Sequence, residues 1–288
     1  MLVTLLAGGH GLIEGVPGTA KTLAVRSLAV TLELSFGRVQ FTPDLMPTDL
    51  TGVNILDQRT SDFVFREGPL FAELLLADEI NRAPAKTQAA LLEAMQEGQV
   101  TVDGETRLLP RAFTVFATQN PVEQEGTYPL PEAQLDRFLL KIEVDYPPRA
   151  AERGILDRAA DGFRADRTST YGLSPLLAEG ELHELRSQVR QVHVEPPVRD
   201  YIVDIVRATR EDPNLSLPAS PRAGVALFAA SRALAFIEGR DFVIPDDVKA
   251  LALPVLRHRV RLTPEAEVEG ERPDDRLVQL LDRVAAPS

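Results

Sequence analysis

The residues of this chain whose types and spacing could do chemistry fall in two places. The first is Gly15-Val16-Pro17-Gly18-Thr19-Ala20-Lys21-Thr22. Its glycines let backbone N–H groups turn inward and approach an anion closely. Behind them stand an ammonium (Lys21) and a hydroxyl (Thr22). The apolar run Gly11-Leu12-Ile13 precedes the stretch, and a segment with helical periodicity, 23–34, follows it. Strand, Gly-rich turn and helix make a phosphate-binding P-loop, with the positive end of the helix dipole facing the same anion. In that arrangement Lys21 reaches β- and γ-phosphates and Thr22 ligates Mg²⁺. The general pattern has Gly directly before the Lys. Here Ala20 stands there, and its Cβ is mild only where φ is negative.

The second place is Asp78-Glu79, which ends the run Leu74-Leu75-Leu76-Ala77. A fully apolar strand is what a parallel sheet covered on both faces requires. Acids at its carboxyl end sit where open α/β sheets bind ligands. Paired with a P-loop, Asp78 would hold Mg²⁺ and Glu79 would polarise the attacking water. Asn120, closing the apolar strand 112–118, is placed to orient that water.

Other elements must position these residues. Segments 38–41 and 139–144 read as further strands. Residues 62–66 alternate like part of a small hairpin, and 100–109 form a hairpin around Asp103-Gly104. Residues 84–97 read as a helix with Ala89, Leu92 and Met95 on one face. Phe63 and Phe65 read as hairpin packing. After Pro147-Pro148 the chain turns helical: Leu182, Leu185, Val189 and Val192 share one face, and Ile202, Ile205 and Val206 another. Ser220-Pro221 caps a helix running to Gly239, and Pro245 opens one through about His258. Residues 263–273 read as an acidic linker and 274–284 as a closing helix.

Composition narrows the class. The chain has 288 residues, 44% hydrophobic and 26% charged, room enough for two domains. No apolar run spans a membrane and no basic segment opens a signal peptide, while zero cysteines fit a reducing cytoplasm. A net charge of −12 argues against a nonspecific nucleic-acid binder. His10, His183, His193 and His258 lie too far apart in sequence to suggest a metal cluster.

The chain resembles the MoxR family of AAA+ ATPases. The resemblance is carried by Glu14–Thr22, Phe41-Thr42-Pro43-Asp44-Leu45-Met46-Pro47 and Asp78-Glu79-Ile80-Asn81-Arg82-Ala83-Pro84. Ala117-Thr118-Gln119-Asn120-Pro121, Glu132-Ala133-Gln134-Leu135-Asp136-Arg137-Phe138 and Ala219-Ser220-Pro221-Arg222-Ala223 extend it. Ala at position 20 is usual in this family. The resemblance implies an α/β fold: a P-loop AAA+ core with a parallel sheet flanked by helices over residues 1–146, carrying a helix-2 insert at 52–68 and a hairpin at 99–109. An all-helical lid with a C-terminal tail would occupy 147–288.

Roles follow by the same resemblance. Gly15, Val16, Pro17, Gly18, Thr19, Ala20, Lys21 and Thr22 would be Walker A and Asp78-Glu79 Walker B. Asn120 would be sensor 1, Arg137 an arginine finger reaching a neighbouring subunit, and Arg222 sensor 2. Arg137 also suits a helix-capping salt bridge, and Arg82 is a candidate second interface arginine. The family acts with ATP and Mg²⁺ in homo-oligomeric, hexameric rings whose inserts face the pore. It matures partner proteins by chaperone-like action, including metal cofactor insertion, commonly with a von Willebrand factor A domain protein, and the client is not named by any residue here. The resemblance also implies an N-terminal helical segment that helps hold the adenine, which would here be absent or reduced to Met1–His10. Two other classes compete: a nucleic-acid motor on the same fold, disfavoured by the net acidity, and a non-hydrolysing nucleotide-binding scaffold, disfavoured by Glu79, Asn120 and Arg137.

Overall fold

The computed structural model describes residues 1–120, 127–165, 167 and 171–287. Pro121, which follows Asn120 in the sequence reading, lies outside them. The chain runs α1 (Leu2–Leu6), β1 (Gly11–Gly15), α2 (Lys21–Thr31), β2 (Phe36–Gln40), α3 (Pro47–Thr51), β3 (Gly52–Asp57), β4 (Asp62–Glu67) and β5 (Leu74–Asp78). It continues through α4 (Ala85–Glu97), β6 (Gln99–Val102), β7 (Glu105–Leu108), β8 (Thr114–Gln119), α5 (Glu132–Leu135), β9 (Leu140–Val144) and α6 (Arg149–Ala160). The remainder comprises α7 (Glu181–Val189), α8 (Pro196–Glu211), β10 (Leu215–Leu217), α9 (Pro221–Ile237), α10 (Pro245–Leu256), β11 (Arg261–Leu262), α11 (Pro264–Val268) and α12 (Pro273–Arg283). These elements form two compact units, one of residues 12–130 and 143–183, the other of 1–11, 131–142 and 184–288.

Five strands form one sheet in the order β2-β5-β8-β1-β9, of which β2, β5 and β8 lie wholly in the first unit. The pairs β2–β5 and β5–β8 are parallel. Leu74, Leu75, Leu76 and Ala77 of β5 and Val115, Phe116 and Ala117 of β8 are fully buried, as a sheet covered on both faces demands. Two antiparallel hairpins, β3–β4 and β6–β7, stand apart from the sheet. The second turns through Asp103 (φ 51°) and Gly104 (φ 84°), both left-handed, which is the geometry of a two-residue hairpin turn.

The second unit is mainly helical. α8, α9, α10 and α12 close around Ile202, Ile205, Leu227, Ala230, Val248, Val255, Leu256 and Leu277, with Val3 and Ala7 of the α1 region against the same core. Ser220 caps α9 by accepting from Arg222 N, and Pro221 takes the first helical position. Arg240 grips Asp247 at 2.7 and 2.6 Å, while the same carboxylate caps α10 by accepting from Ile244 N at 2.9 Å.

Three expectations change. Ala89 is exposed, and α4 instead buries Thr87, Gln88, Leu91, Leu92, Ala94 and Met95. The polar pair goes inward because acceptors await it: Thr87 Oγ1 donates to Leu45 O at 2.6 Å, and Gln88 Nε2 to Ile80 O, Ala83 O and Tyr128 O at 3.1, 3.1 and 2.9 Å. Residues 263–273 are no plain linker. Thr263 caps α11 and its N donates to Asn214 O at 2.8 Å, and Ala266 is buried, which ties the acidic stretch down. Phe63 is 74% exposed. Only Phe65 packs, with the Arg107 guanidinium 4.0 Å over its ring and Phe71 edge-on at 5.7 Å.

Candidate functional site

The carboxyl ends of β1, β5 and β8 and the start of α2 open onto one cavity of about 760 Å³. Its lining includes Gly18, Lys21, Thr22, Asp78, Glu79 and Asn120. All belong to the sheet-bearing unit.

The two glycines of the loop serve different ends. Gly15 ends β1 so close to Val144 that any Cβ would collide with the Val144 carbonyl and side chain. Gly18 has open space around it but a φ of +82°, which a side chain would strain. Ala20 has a φ of +60°, so the condition under which its Cβ would be mild is not met. The loop folds back over Lys21, whose Nζ donates to Gly15 O and Val16 O at 2.8 Å each. Thr19 Oγ1 donates to the same Val16 carbonyl at 2.9 Å. That tight return forces the chain to enter α2 from the left-handed region, which costs an L-residue about 1–2 kcal/mol. Burial lowers the Lys21 pKa, opposed by the charges of Asp78 and Glu79.

Parallel register sets the acidic side of the cavity. Gln40 stands beside Asp78 and Arg38 beside Leu76, so both β2 side chains reach the same strand end. Arg38 Nη2 donates to Asp78 Oδ2 at 2.7 Å. Gln40 Nε2 and Arg82 Nη1 both donate to Glu79 Oε2, at 2.6 and 2.9 Å. Glu79 has φ 55°, a second left-handed residue that is not glycine. Thr118 on β8 holds this turn together. Its Oγ1 donates to Asp78 Oδ1 at 2.6 Å and accepts from Glu79 N at 2.9 Å. Asn120 is buried one residue beyond β8 and faces the cavity.

The donor set fits a polyphosphate with its divalent cation. Backbone amides at the start of α2 and the Lys21 ammonium would take phosphate oxygens. Thr22 and Asp78 offer hard oxygen ligands of the kind Mg²⁺ prefers. Sequence reasoning assigned no role to Arg38, Gln40, Thr118, Ile155, Phe163 or Tyr171, all of which bound the site or hold its acids. The apolar run 112–118 locates Thr118 but not the bonds it makes. Arg38 and Gln40 become visible only once β2 is registered on β5. Phe163 and Tyr171 stack with ring centroids 5.7 Å apart on one side of the cavity.

Arg137 and Arg222 belong to the other, mainly helical unit. Arg137 lies in the turn after α5 and is half-buried, while Arg222 is exposed in the first turn of α9. Arg82 pairs with Glu79 inside the chain.

The pattern of the ATPase family associated with various cellular activities (AAA) matches residues 10–140, and that of the AAA lid domain matches 207–280. The chain is 46% identical to Chaperone MoxR1 of Mycobacterium tuberculosis over 100% of its own length and 77% of that protein. It is 33% identical to Protein MoxR of Paracoccus denitrificans over 94% of this chain and 85% of that one. A crystal structure from Cytophaga hutchinsonii, described as that of a candidate ATPase, superposes with a TM-score of 0.91 at 42% identity, covering 100% of this chain and 88% of that one. With such identity along its length, and the AAA pattern lying over the cavity just described, this chain belongs to the MoxR family of AAA+ ATPases.

Proposed function

We propose that this protein binds ATP with Mg²⁺ and hydrolyses it to drive chaperone-like remodelling of partner proteins. The observation that carries the reading is the convergence of Lys21, Thr22, Asp78, Glu79 and Asn120 on one cavity. Lys21 would exchange its two loop carbonyls for phosphate oxygens. Thr22 and Asp78 would hold the Mg²⁺, which supplies charge neutralisation on the phosphates. Glu79 would take a proton from the attacking water, and Asn120 would orient that water. Gln40 and Arg82, which both donate to Glu79 Oε2, would keep that carboxylate aimed until then. The apolar side of the cavity, with Ile155, Phe163 and Tyr171, suits a flat heterocyclic base.

The finer parts of the reading rest on the family. They are an α/β core to residue 146 with a helical lid beyond it, a cytoplasmic, hexameric homo-oligomer, Arg137 acting in trans, and Arg222 sensing the nucleotide. A von Willebrand factor A domain partner and metal cofactor insertion into a client belong to the same set. Among the described residues no helix is long and apolar enough to cross a membrane.

Calorimetry and phosphate release test the core of the reading. Lys21→Ala should lose ATP binding, because it removes the fixed cation from the phosphates. Glu79→Gln should bind ATP as the wild type does yet turn over at least 100-fold more slowly, the range of a lost general base. A Lys21→Ala protein that binds ATP normally would refute the site.

A further inference from the structure

We propose that Asp136 and Ser220 join the two phosphate-sensing arginines, Arg137 and Arg222, into one mechanical unit, with Arg259 as its anchor. The proposal rests on the reading of those arginines given above. Every group it uses lies in the mainly helical unit.

Arg259 follows α10 and its side chain is only 3% exposed. Its Nε donates to Asp136 Oδ1 at 2.7 Å. Its Nη2 donates to Asp136 O at 3.2 Å and Phe138 O at 2.6 Å. Its Nη1 donates to Leu139 O at 3.1 Å and to Val255 O. A guanidinium has five N–H donors, and here five acceptors take them. Arg259 therefore has no donor to spare for a ligand and is a positioning residue. The carbonyls it holds, Asp136 O and Phe138 O, flank Arg137 on both sides. His258 Nε2 meets the same Phe138 carbonyl at 2.9 Å.

The second half of the link starts at the other carboxylate oxygen. Ser220 Oγ donates to Asp136 Oδ2 at 3.0 Å and accepts from Arg222 N at 3.2 Å. An unbroken path thus runs from the Arg259 guanidinium through the Asp136 carboxylate and the Ser220 hydroxyl to the backbone of Arg222. Asp136 is the residue next to Arg137, and Ser220 is the cap of the helix that carries Arg222. A movement of the start of α9 is therefore transmitted to the turn bearing Arg137, and the reverse. Ordinary helix capping needs only the acceptor function of Ser220; the donor function toward Asp136 adds the coupling.

That distinction sets the test. Replacing Arg259 would strand the Asp136 charge and risk unfolding, so the variants are made at Ser220. Ser220→Thr keeps both functions. Ser220→Ala loses both. Ser220→Asp keeps the cap, since Asp is a favoured N-cap residue, but sets a second carboxylate against Asp136. Two measurements are made on the full chain. The first is amide exchange of residues 136–139 without nucleotide. Ser220→Ala and Ser220→Asp should exchange about tenfold faster there, and Ser220→Thr should restore the wild-type rate. If Ser220→Asp exchanges like the wild type, the serine acts as a cap alone and the coupling is overturned. The second is ATP turnover. Ser220→Asp should lower kcat about tenfold with KM unchanged, and Ser220→Thr should recover it. Normal turnover in Ser220→Asp alongside faster exchange would overturn the role of the link in sensing. A wild-type chain that does not hydrolyse ATP would refute the proposed function, while the exchange data would still decide whether the link exists.

Discussion

Replacing Thr118 with Val isolates a residue whose importance is structural and functional at once. Valine has the same shape, so packing is preserved at a position 1% exposed. The hydroxyl makes two bonds, donating to the Asp78 carboxylate at 2.6 Å and accepting from Glu79 N at 2.9 Å. Without it the Glu79 amide loses its acceptor, at about 1–3 kcal/mol for a stranded group, and Asp78 loses a charge-assisted bond. Part of the loss is recovered by relaxation of the left-handed turn at Glu79, so the net cost is about 2 kcal/mol. For a chain of this size that corresponds to a fall in Tm of about 4–8 °C. The carboxylate of Glu79 would also wander, since its backbone is no longer tied to β8. Turnover of ATP should fall about tenfold or more, with the nucleotide Kd within about twofold of wild type, because the P-loop is untouched. Scanning calorimetry, titration calorimetry and phosphate release read the three quantities, with Thr118→Ser as the control that keeps the hydroxyl. A Thr118→Val protein with wild-type Tm and kcat would refute the reasoning.

Three further outcomes are expected. Gly15→Ala should lower stability by about 1–3 kcal/mol, as overpacking does, because its Cβ meets Val144 on β9; an unchanged thermal midpoint would contradict the contact. Phe63→Ser should leave stability within about 0.5 kcal/mol, since the ring is 74% exposed, and urea unfolding would show it. The third concerns pH. Burial, then the Arg259 charge, hold the His258 pKa well below its ordinary value of 6.5. Its Nε2 donates to Phe138 O, and its Nδ1 has no hydrogen-bond partner among the described residues. Below about pH 6.5 the unfolded chain takes a proton that the folded chain refuses, so stability is full above that pH and falls beneath it, by up to about 1.4 kcal/mol per pH unit. Urea unfolding at pH 7.5 and 5.5 should show that slope in the wild type and lose it in His258→Gln.

Much of this protein is legible from local sequence. The strand, turn and helix around Gly15–Thr22 are set by neighbouring residues, as are the buried strands at 74–78 and 114–119, the Asp103-Gly104 turn and the Ser220-Pro221 cap. Each rests on periodicity or on a backbone preference that acts within a few residues. What tertiary structure decided is of another kind. The backbone of Ala20 turned left-handed because Lys21 folds the loop back onto Gly15 and Val16, two carbonyls five and six residues away. The inner face of α4 includes Thr87 and Gln88, which the apolar pattern alone would turn outward, because Leu45, Ile80, Ala83 and Tyr128 supply carbonyls there. Arg38, Gln40 and Thr118 join the acids only through strand register. Asp136, Ser220 and Arg259 meet across more than eighty residues of chain. Hydrophobic periodicity reports which residues leave water. It carries no information on which polar groups then meet, because a hydrogen bond depends on ångström-scale distance and direction that only the packed chain supplies.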